Sequence, residues 1–381
     1  MIYLDHNATS PPRPGVADAV RAALAGTMGN PASVHGPGRA ARQKLDEARR
    51  QVAGLMDVHE SRIVFTSGGT ESNHLALFGM AMANDLRGTI VVSGVEHPSV
   101  LLTCTRLAEL GMTIHTLPVD GTGRVDPQTV RDAIDTRTLL VSVMAANNET
   151  GVLQPIREIG AICREKEIPL HVDATQWAGK LPMDEEQLPA DLLTLSGHKF
   201  GGPKGAGALI VASGISLIAQ LTGGGQERGR RSGTENLPGI AGFGVAASEV
   251  SKQLPTETTA ITRLREHLEH RLLEVIPDAR IFGQEAPRLP NTTAVGIRGV
   301  DGETLVMALD LAGCAISSGS ACASGKTTPS HVLLAMGEES AYIQGAVRVS
   351  LGWNTDIHAV DSFITAIKRS VDRLRQGSML S

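Results

Sequence analysis

The chain reads as an α/β protein with a large domain on a doubly wound, mainly parallel seven-stranded sheet and a smaller α+β domain. Three observations point there. Short β-branched runs alternate with helical periodicity from about residue 40 to 250, the pattern of strands joined by crossover helices. The 381 residues exceed one ordinary core, so two domains are expected. The pattern changes near Gln253-Leu254-Pro255-Thr256-Glu257, a polar stretch with proline ahead of a charged helix. The large domain is therefore placed at 15–253, and the small one at 1–14 and 254–381.

In chain order, the first dozen residues, with Pro11, Pro12 and Pro14, are expected to run back along the smaller domain. Ala41, Leu45, Ala48, Val52 and Leu55 recur at spacings of four and three and form one helix face. Seven strands follow, at Ile63–Phe65, Ile90–Val92, Thr113–Leu117, Leu139–Val143, Leu170–Val172, Asp191–Leu195 and Ala208–Val211. Helical segments separate most of them. In the smaller domain Thr355 is expected to cap a final helix with Ile357, Val360, Ile364, Ile367, Val371 and Leu374 on one face, packed on its own sheet.

Composition narrows the function. Hydrophobic residues at 41% and charged residues at 20% are ordinary for a soluble globular chain. The net charge of −5 argues against a dedicated nucleic-acid binder, and 3% aromatics leave few stacking platforms. Arg228, Arg230 and Arg231 form the one notable basic patch, which reads as a solvated face. Cys104, Cys163, Cys314 and Cys322 show neither a CxxC pair nor zinc-ligand spacing, so no disulfide framework or metal site is expected. The first three of these sit in apolar or helical contexts and read as core. The amino terminus lacks a signal-peptide profile and no apolar run is long enough to span a bilayer, which places the chain in the cytoplasm.

The chemistry starts at Ser196-Gly197-His198-Lys199, where a strand delivers one amine into a glycine-rich turn. A lone lysine is usually a solvated surface group. Upstream, however, the strand pattern Leu170-His171-Val172 ends at Asp173, and an amide, Gln176, follows three residues later. A carboxylate, an amide and an amine in this order suit pyridoxal phosphate: Asp173 stabilises a protonated ring nitrogen, Gln176 donates to the phenolic oxygen, and Lys199 forms an imine. Ser67-Gly68-Gly69-Thr70-Glu71-Ser72-Asn73 joins a strand to a helix, so its free N–H groups suit a phosphate, with Ser196 and His198 on the other side. A plain capping turn is the competing reading. His97, just before Pro98 at a helix start, could stack on a ring and shuttle protons, or be structural.

A second centre is the run Ser317-Ser318-Gly319-Ser320-Ala321-Cys322-Ala323-Ser324-Gly325-Lys326, read as a mobile loop because small residues offer little packing. Its thiol, Cys322, is either an activated nucleophile or incidental to a linker. Asn148, in Asn147-Asn148-Glu149-Thr150-Gly151, could present an amide to a substrate carboxylate. Arg348 is a cation in an apolar strand, so it holds a carboxylate either of a substrate or of a structural salt bridge.

Together these motifs resemble the cysteine desulfurases of the class V aminotransferase fold. The likeness runs nearly end to end, from Tyr3-Leu4-Asp5-His6-Asn7-Ala8-Thr9 through Arg231-Ser232-Gly233-Thr234-Glu235-Asn236 to Cys322. The long loop before Pro329-Ser330-His331 resembles the branch serving iron-sulfur cluster assembly, including its nitrogenase-associated members. The resemblance implies the fold type I of pyridoxal 5'-phosphate enzymes and conversion of L-cysteine to L-alanine, with sulfur carried on Cys322 as a persulfide to an acceptor or iron-sulfur scaffold protein. It implies Lys199, Cys322 and His97 as catalytic residues and Gly69, Thr70, His97, Asp173, Gln176, Ser196, His198 and Lys199 around the cofactor. It further implies Asn148 and Arg348 at the substrate carboxylate, and a homodimer in which Thr234 reaches the neighbouring cofactor's phosphate. Neither direct nucleic-acid binding nor a membrane is implied, nor a metal beyond Cys322 as a cluster ligand. Two departures bear on the acceptor: Thr328 stands where relatives often carry an acidic residue, and the chain stops soon after its last helix. A selenocysteine lyase or aminotransferase on the same fold is the nearest alternative. A scaffold without activity, or a cysteine-based metal carrier, is the rival of another class.

Overall fold

The computed structural model describes residues 1–319 and 329–378. In chain order its elements begin with β1 (Ile2–Tyr3), α1 (Pro14–Gly26), α2 (Gly36–Ala53), β2 (Ile63–Thr66), α3 (Gly69–Ala83), β3 (Thr89–Ser93), α4 (Pro98–Glu109) and β4 (Thr113–Leu117). They continue with α5 (Pro127–Ala133), β5 (Thr138–Ser142), α6 (Ile156–Glu165), β6 (Leu170–Asp173), β7 (Leu192–Ser196), β8 (Gly207–Val211) and α7 (Leu237–Val275). The remainder comprises β9 (Arg280–Ile281), β10 (Thr292–Gly296), α8 (Gly302–Leu311), β11 (Cys314–Ala315), β12 (Ser317–Ser318), α9 (His331–Ala335), α10 (Ser340–Gln344), β13 (Ala346–Ser350) and α11 (Ile357–Ser378).

The seven expected strands form one sheet in the order β2-β8-β7-β6-β5-β3-β4, in which β8 alone runs against the others. Its inner strands are buried on both faces, as β-branched runs under helices require. The edge strand β4 instead leaves Thr113, His115 and Thr116 exposed, which blunts the edge. Helix α2 buries Ala41, Leu45, Ala48 and Val52, the stripe seen in the sequence. At roughly 1.5–3 kcal/mol for each large aliphatic side chain, that face is what docks the helix. Cys104, Cys163 and Cys314 are buried, as expected.

A second core gathers Leu4, Leu268, Leu272, Val347, Val349, Val360, Phe363, Ile364 and Ile367 around the four-stranded sheet β12-β13-β10-β9. The amino terminus belongs to it: β1 pairs with β11, and Leu4 and His6 exchange backbone bonds with Ser350. The chain then leaves that core, and Ser10 N–H reaches His198 O while Arg13 N–H reaches Gly201 O. Asn7 and Ala8 are thereby strung between the two cores.

Three local expectations are corrected. No helix starts after the stretch Gln253 to Glu257: α7 runs 39 residues through Pro255, so the boundary placed there falls inside one helix. Two polar residues of the stretch have a buried partner as well: Arg13 donates to Gln253 Oε1 at 2.6 Å and to Glu257 Oε2 at 2.7 Å. Residues that read as a domain boundary are also the docking point of the amino-terminal segment. The last helix is capped by Asp356, whose Oδ1 accepts from Ala359 N–H, while Thr355 Oγ1 accepts from Gly352 N–H. Ser317 and Ser318 form β12, paired with Arg348 and Val347, because backbone pairing needs no side-chain bulk.

Candidate active site

The carboxyl ends of β2, β3, β5, β6 and β7 meet at one end of the sheet, where doubly wound folds bind ligands. A cavity of about 240 Å³ opens there, lined by Gly69, Thr70, His97, Asn148, Asp173, Gln176, Ser196, His198, Lys199 and Arg348. All of these were singled out in the sequence. Thr234 is exposed and does not line it. Cys322 lies outside the described residues.

Lys199 ends the turn after β7. Its Nζ donates to Asn7 O at 2.7 Å and Ala8 O at 2.9 Å. Gln176 Nε2 shares the same Asn7 oxygen at 2.9 Å, and its Oε1 accepts from Lys180 Nζ at 2.8 Å. Asn7 is itself locked, giving Nδ2 to Thr292 Oγ1 and receiving Asn291 Nδ2 on Oδ1. Neither Asn7 nor Lys180 was assigned a role from sequence, and Asn7 was quoted only as part of a motif.

Asp173 closes β6 with both oxygens engaged: Asn73 Nδ2 donates to Oδ2 at 2.7 Å and Thr175 N–H to Oδ1 at 2.9 Å. Asn73 Nδ2 also reaches Ser99 Oγ, which bonds His97 Nδ1 at 2.7 Å. Because Ser99 N–H donates to that same Nδ1, the neutral ring carries its proton on Nε2. Burial lowers the His97 pKa, and Lys199 adds to this against the opposing pull of Asp173. Beneath His97, fully buried Glu96 accepts from Ser93 Oγ and Met144 N–H, and burial raises its pKa to about 8.

At the other end α3 starts at the cavity wall. Gly68 has φ +158° and ψ −175°, a backbone state reserved to glycine. The first N–H groups of α3 have no partner within the helix and its positive end faces the cavity, an anion site by construction. A Cβ on Gly69 would come within 3.0 Å of Thr175 Oγ1, so a side chain there would crowd the cradle. Burial and nearby Lys199 hold His198 at a pKa of about 4, so its ring is neutral. The basic patch is partly solvated, with Arg228 exposed, but it is also tied down: Arg231 Nε pairs with Glu71 Oε1 at 2.8 Å in the first turn of α3, and Arg228 donates to Ser61 O.

Arg348 realises the structural reading of its charge, through Nη2 on Asp5 Oδ1 at 2.8 Å and Nη1 on Asn148 O at 2.9 Å. Its Nε nevertheless remains buried without a partner, as do Asn73 Oδ1 and Thr175 Oγ1 around the same cavity. Buried polar atoms are rarely left so unless a ligand completes them. An amine, a held carboxylate and a helix start lining one cavity fit pyridoxal 5'-phosphate, and they define a cofactor enzyme of the doubly wound α/β class.

Comparison with known proteins agrees. The family model described as aminotransferase class-V matches residues 2–363. A cysteine desulfurase of Trichormus azollae is 43% identical over 98% of this chain and 94% of its own. The cysteine desulfurase IscS of Methanosarcina thermophila is 41% identical over 100% and 94%. Among solved structures, a NifS-like protein superposes with a TM-score of 0.91 at 35% identity, covering 98% of this chain and 99% of that one. The chain belongs to the class-V aminotransferase family, which uses pyridoxal 5'-phosphate. Within that family it is one of the cysteine desulfurases.

Proposed function

We propose that the chain converts L-cysteine to L-alanine and passes the sulfur to Cys322 as a persulfide, from which an acceptor protein collects it. The observation that carries this reading is the meeting of Lys199, Asp173, His97, Asn148 and Arg348 in one cavity. When bound, pyridoxal 5'-phosphate supplies an aldehyde to an amine and a ring that withdraws electrons from the carbon bearing that amine. Gly69, Thr70, Ser196 and His198 would hold its phosphate, His97 would cover the ring, Asp173 would meet the ring nitrogen and Gln176 the phenolic oxygen.

Lys199 Nζ, drawn back onto the Asn7 and Ala8 carbonyls when it is not bonded elsewhere, moves the proton at the substrate Cα. His97, neutral with Nε2–H, is a proton donor in the same cavity. The substrate carboxylate is met by Arg348, whose unpartnered Nε–H is available to it, and by Asn148. The Cys322 thiolate bonds the substrate sulfur as the Cβ–S bond breaks. The electron pair of that bond stays with the carbon fragment, which takes up protons and leaves as alanine.

The resemblance in sequence supports the rest of the reading. The chain divides at 15–253 and 254–381 with 1–14. It acts as a homodimer, with Thr234 reaching the phosphate held by a second copy. Its sulfur goes to an iron-sulfur scaffold protein in the cytoplasm. Among the described residues no helix is long and apolar enough to cross a membrane.

The test is Cys322→Ser assayed for alanine, sulfide and protein persulfide. The variant keeps the cofactor's visible absorbance but forms no persulfide and releases no sulfide with reductant. Full sulfide release would remove Cys322 from the reaction. Alanine production by Lys199→Arg at the wild-type rate would remove the lysine.

A further inference from the structure

Behind the cavity lies a second amine. Lys180 follows Gly179, whose φ is +74° and where a Cβ would sit 2.4 Å from the Cβ of Phe200. That glycine-only turn brings the Lys180 chain back under Gln176. Its Nζ donates to the backbone O and the Oε1 of Gln176, each at 2.8 Å, and the residue is only 8% exposed.

What surrounds this amine is unusual. No carboxylate forms a salt bridge with it among the described residues. The groups that bear on it electrostatically are Lys199, Arg348, His6 and His198, all cationic or able to become so. Glu257 lines the same small cavity but is committed to Arg13. A buried ammonium with no counter-ion is costly, and burial, reinforced by Lys199 and Arg348, holds the Lys180 pKa well below the ordinary lysine value.

The link to the cavity is a single side chain. An amine held as an ammonium has only donors, so the oxygen of the Gln176 amide must face Lys180 and its NH2 must face away. That NH2 gives one hydrogen to Asn7 O, and Gln176 lines the cavity.

We propose that Lys180 is a positioning residue for the anionic cofactor: a buried amine without a carboxylate partner, it takes up a proton as the cofactor's negative charge enters and, through Gln176, turns an amide donor toward it. The protein leaves this charge incomplete and the ligand completes it. Buried charges are screened weakly, so the one intervening amide does not insulate the pair. The inference rests on the family's cofactor and not on the fate of the sulfur.

The test is calorimetric titration of the cofactor-free protein with pyridoxine 5'-phosphate, the alcohol that cannot bond Lys199. It is run at pH 8 in two buffers of different ionisation enthalpy, on the wild type, Lys180→Met and Lys180→Gln. The wild type takes up more protons on binding than either variant, and both variants bind about tenfold more weakly. Glutamine keeps a hydrogen-bond donor, so its failure to restore proton uptake separates charge from packing. It also decides the matter should the methionine variant not fold. Equal proton uptake by wild type and Lys180→Gln overturns the proposal whatever the affinities. No binding by the wild type would overturn the cofactor assignment together with it.

Discussion

Asn73 shows how the site is held by residues that touch no reacting atom. One amide joins the Asp173 carboxylate to the Ser99 hydroxyl that orients His97. Replacing Asn73 with alanine leaves Asp173 Oδ2 without that donor, at a cost of about 1–3 kcal/mol, because a buried bond to a carboxylate is lost. Titration of the cofactor-free variant with pyridoxal 5'-phosphate should show roughly a tenfold or larger rise in Kd. An unchanged Kd would mean that Thr175 N–H alone secures the carboxylate. Residues with chemistry of their own, such as Lys199, Asp173 and His97, were legible because their motifs state what they do. Asn7 and Lys180 were not, because only the folded backbone decides which oxygen a buried amine meets.

Elements carry the site because their ends are pinned. Buried Arg49 on α2 pairs with Glu227 at 2.6 Å, and Glu227 also accepts Phe65 N–H on β2, so one carboxylate ties the turn before Arg228 to helix and strand. Glu227→Ala would strand a buried guanidinium, with a loss of about 3–5 kcal/mol seen as a lower denaturant midpoint. A midpoint matching the wild type would show that water reaches Arg49. At this scale the sequence was most readable where burial is two-sided: all seven strands of the main sheet lie where β-branched runs predicted them. It misled where polar residues also serve a distant partner, as at Gln253 and Glu257, which both accept from buried Arg13. It misled equally at Ser317 and Ser318, whose strand pairing with Arg348 and Val347 needs no apolar side chain.

For the molecule as a whole, buried titratable groups set opposed pH slopes. His6 and His171 are held at about 4 by burial, against 6.5 unfolded, so the unfolded chain binds more protons and stability falls as pH drops from about 6.5 to 4. Glu149 and Glu96 are raised to about 7 and about 8 by burial, so the folded chain binds more protons and their contribution is lost as pH rises from about 4.5 through those values. Glu96→Gln should therefore flatten the alkaline decline, by on the order of 2 kcal/mol between pH 6.5 and 8. Unfolding midpoints recorded across that range check this, and a parallel decline in both proteins would show that Glu96 is charged when folded.

The sequence by itself determined the sheet, the helices that cover it, and the amine, carboxylate and helix start that call for the cofactor. These follow from short-range periodicity and from motifs whose spacing is local. Only the tertiary structure decided that the amino-terminal segment crosses from the small core to the Lys199 turn, that one helix spans both cores through Pro255, and that Lys180 stands behind Gln176 with no carboxylate partner among the described residues. Those outcomes depend on which distant groups remain to satisfy a buried charge or carbonyl, and that depends on how the whole chain packs.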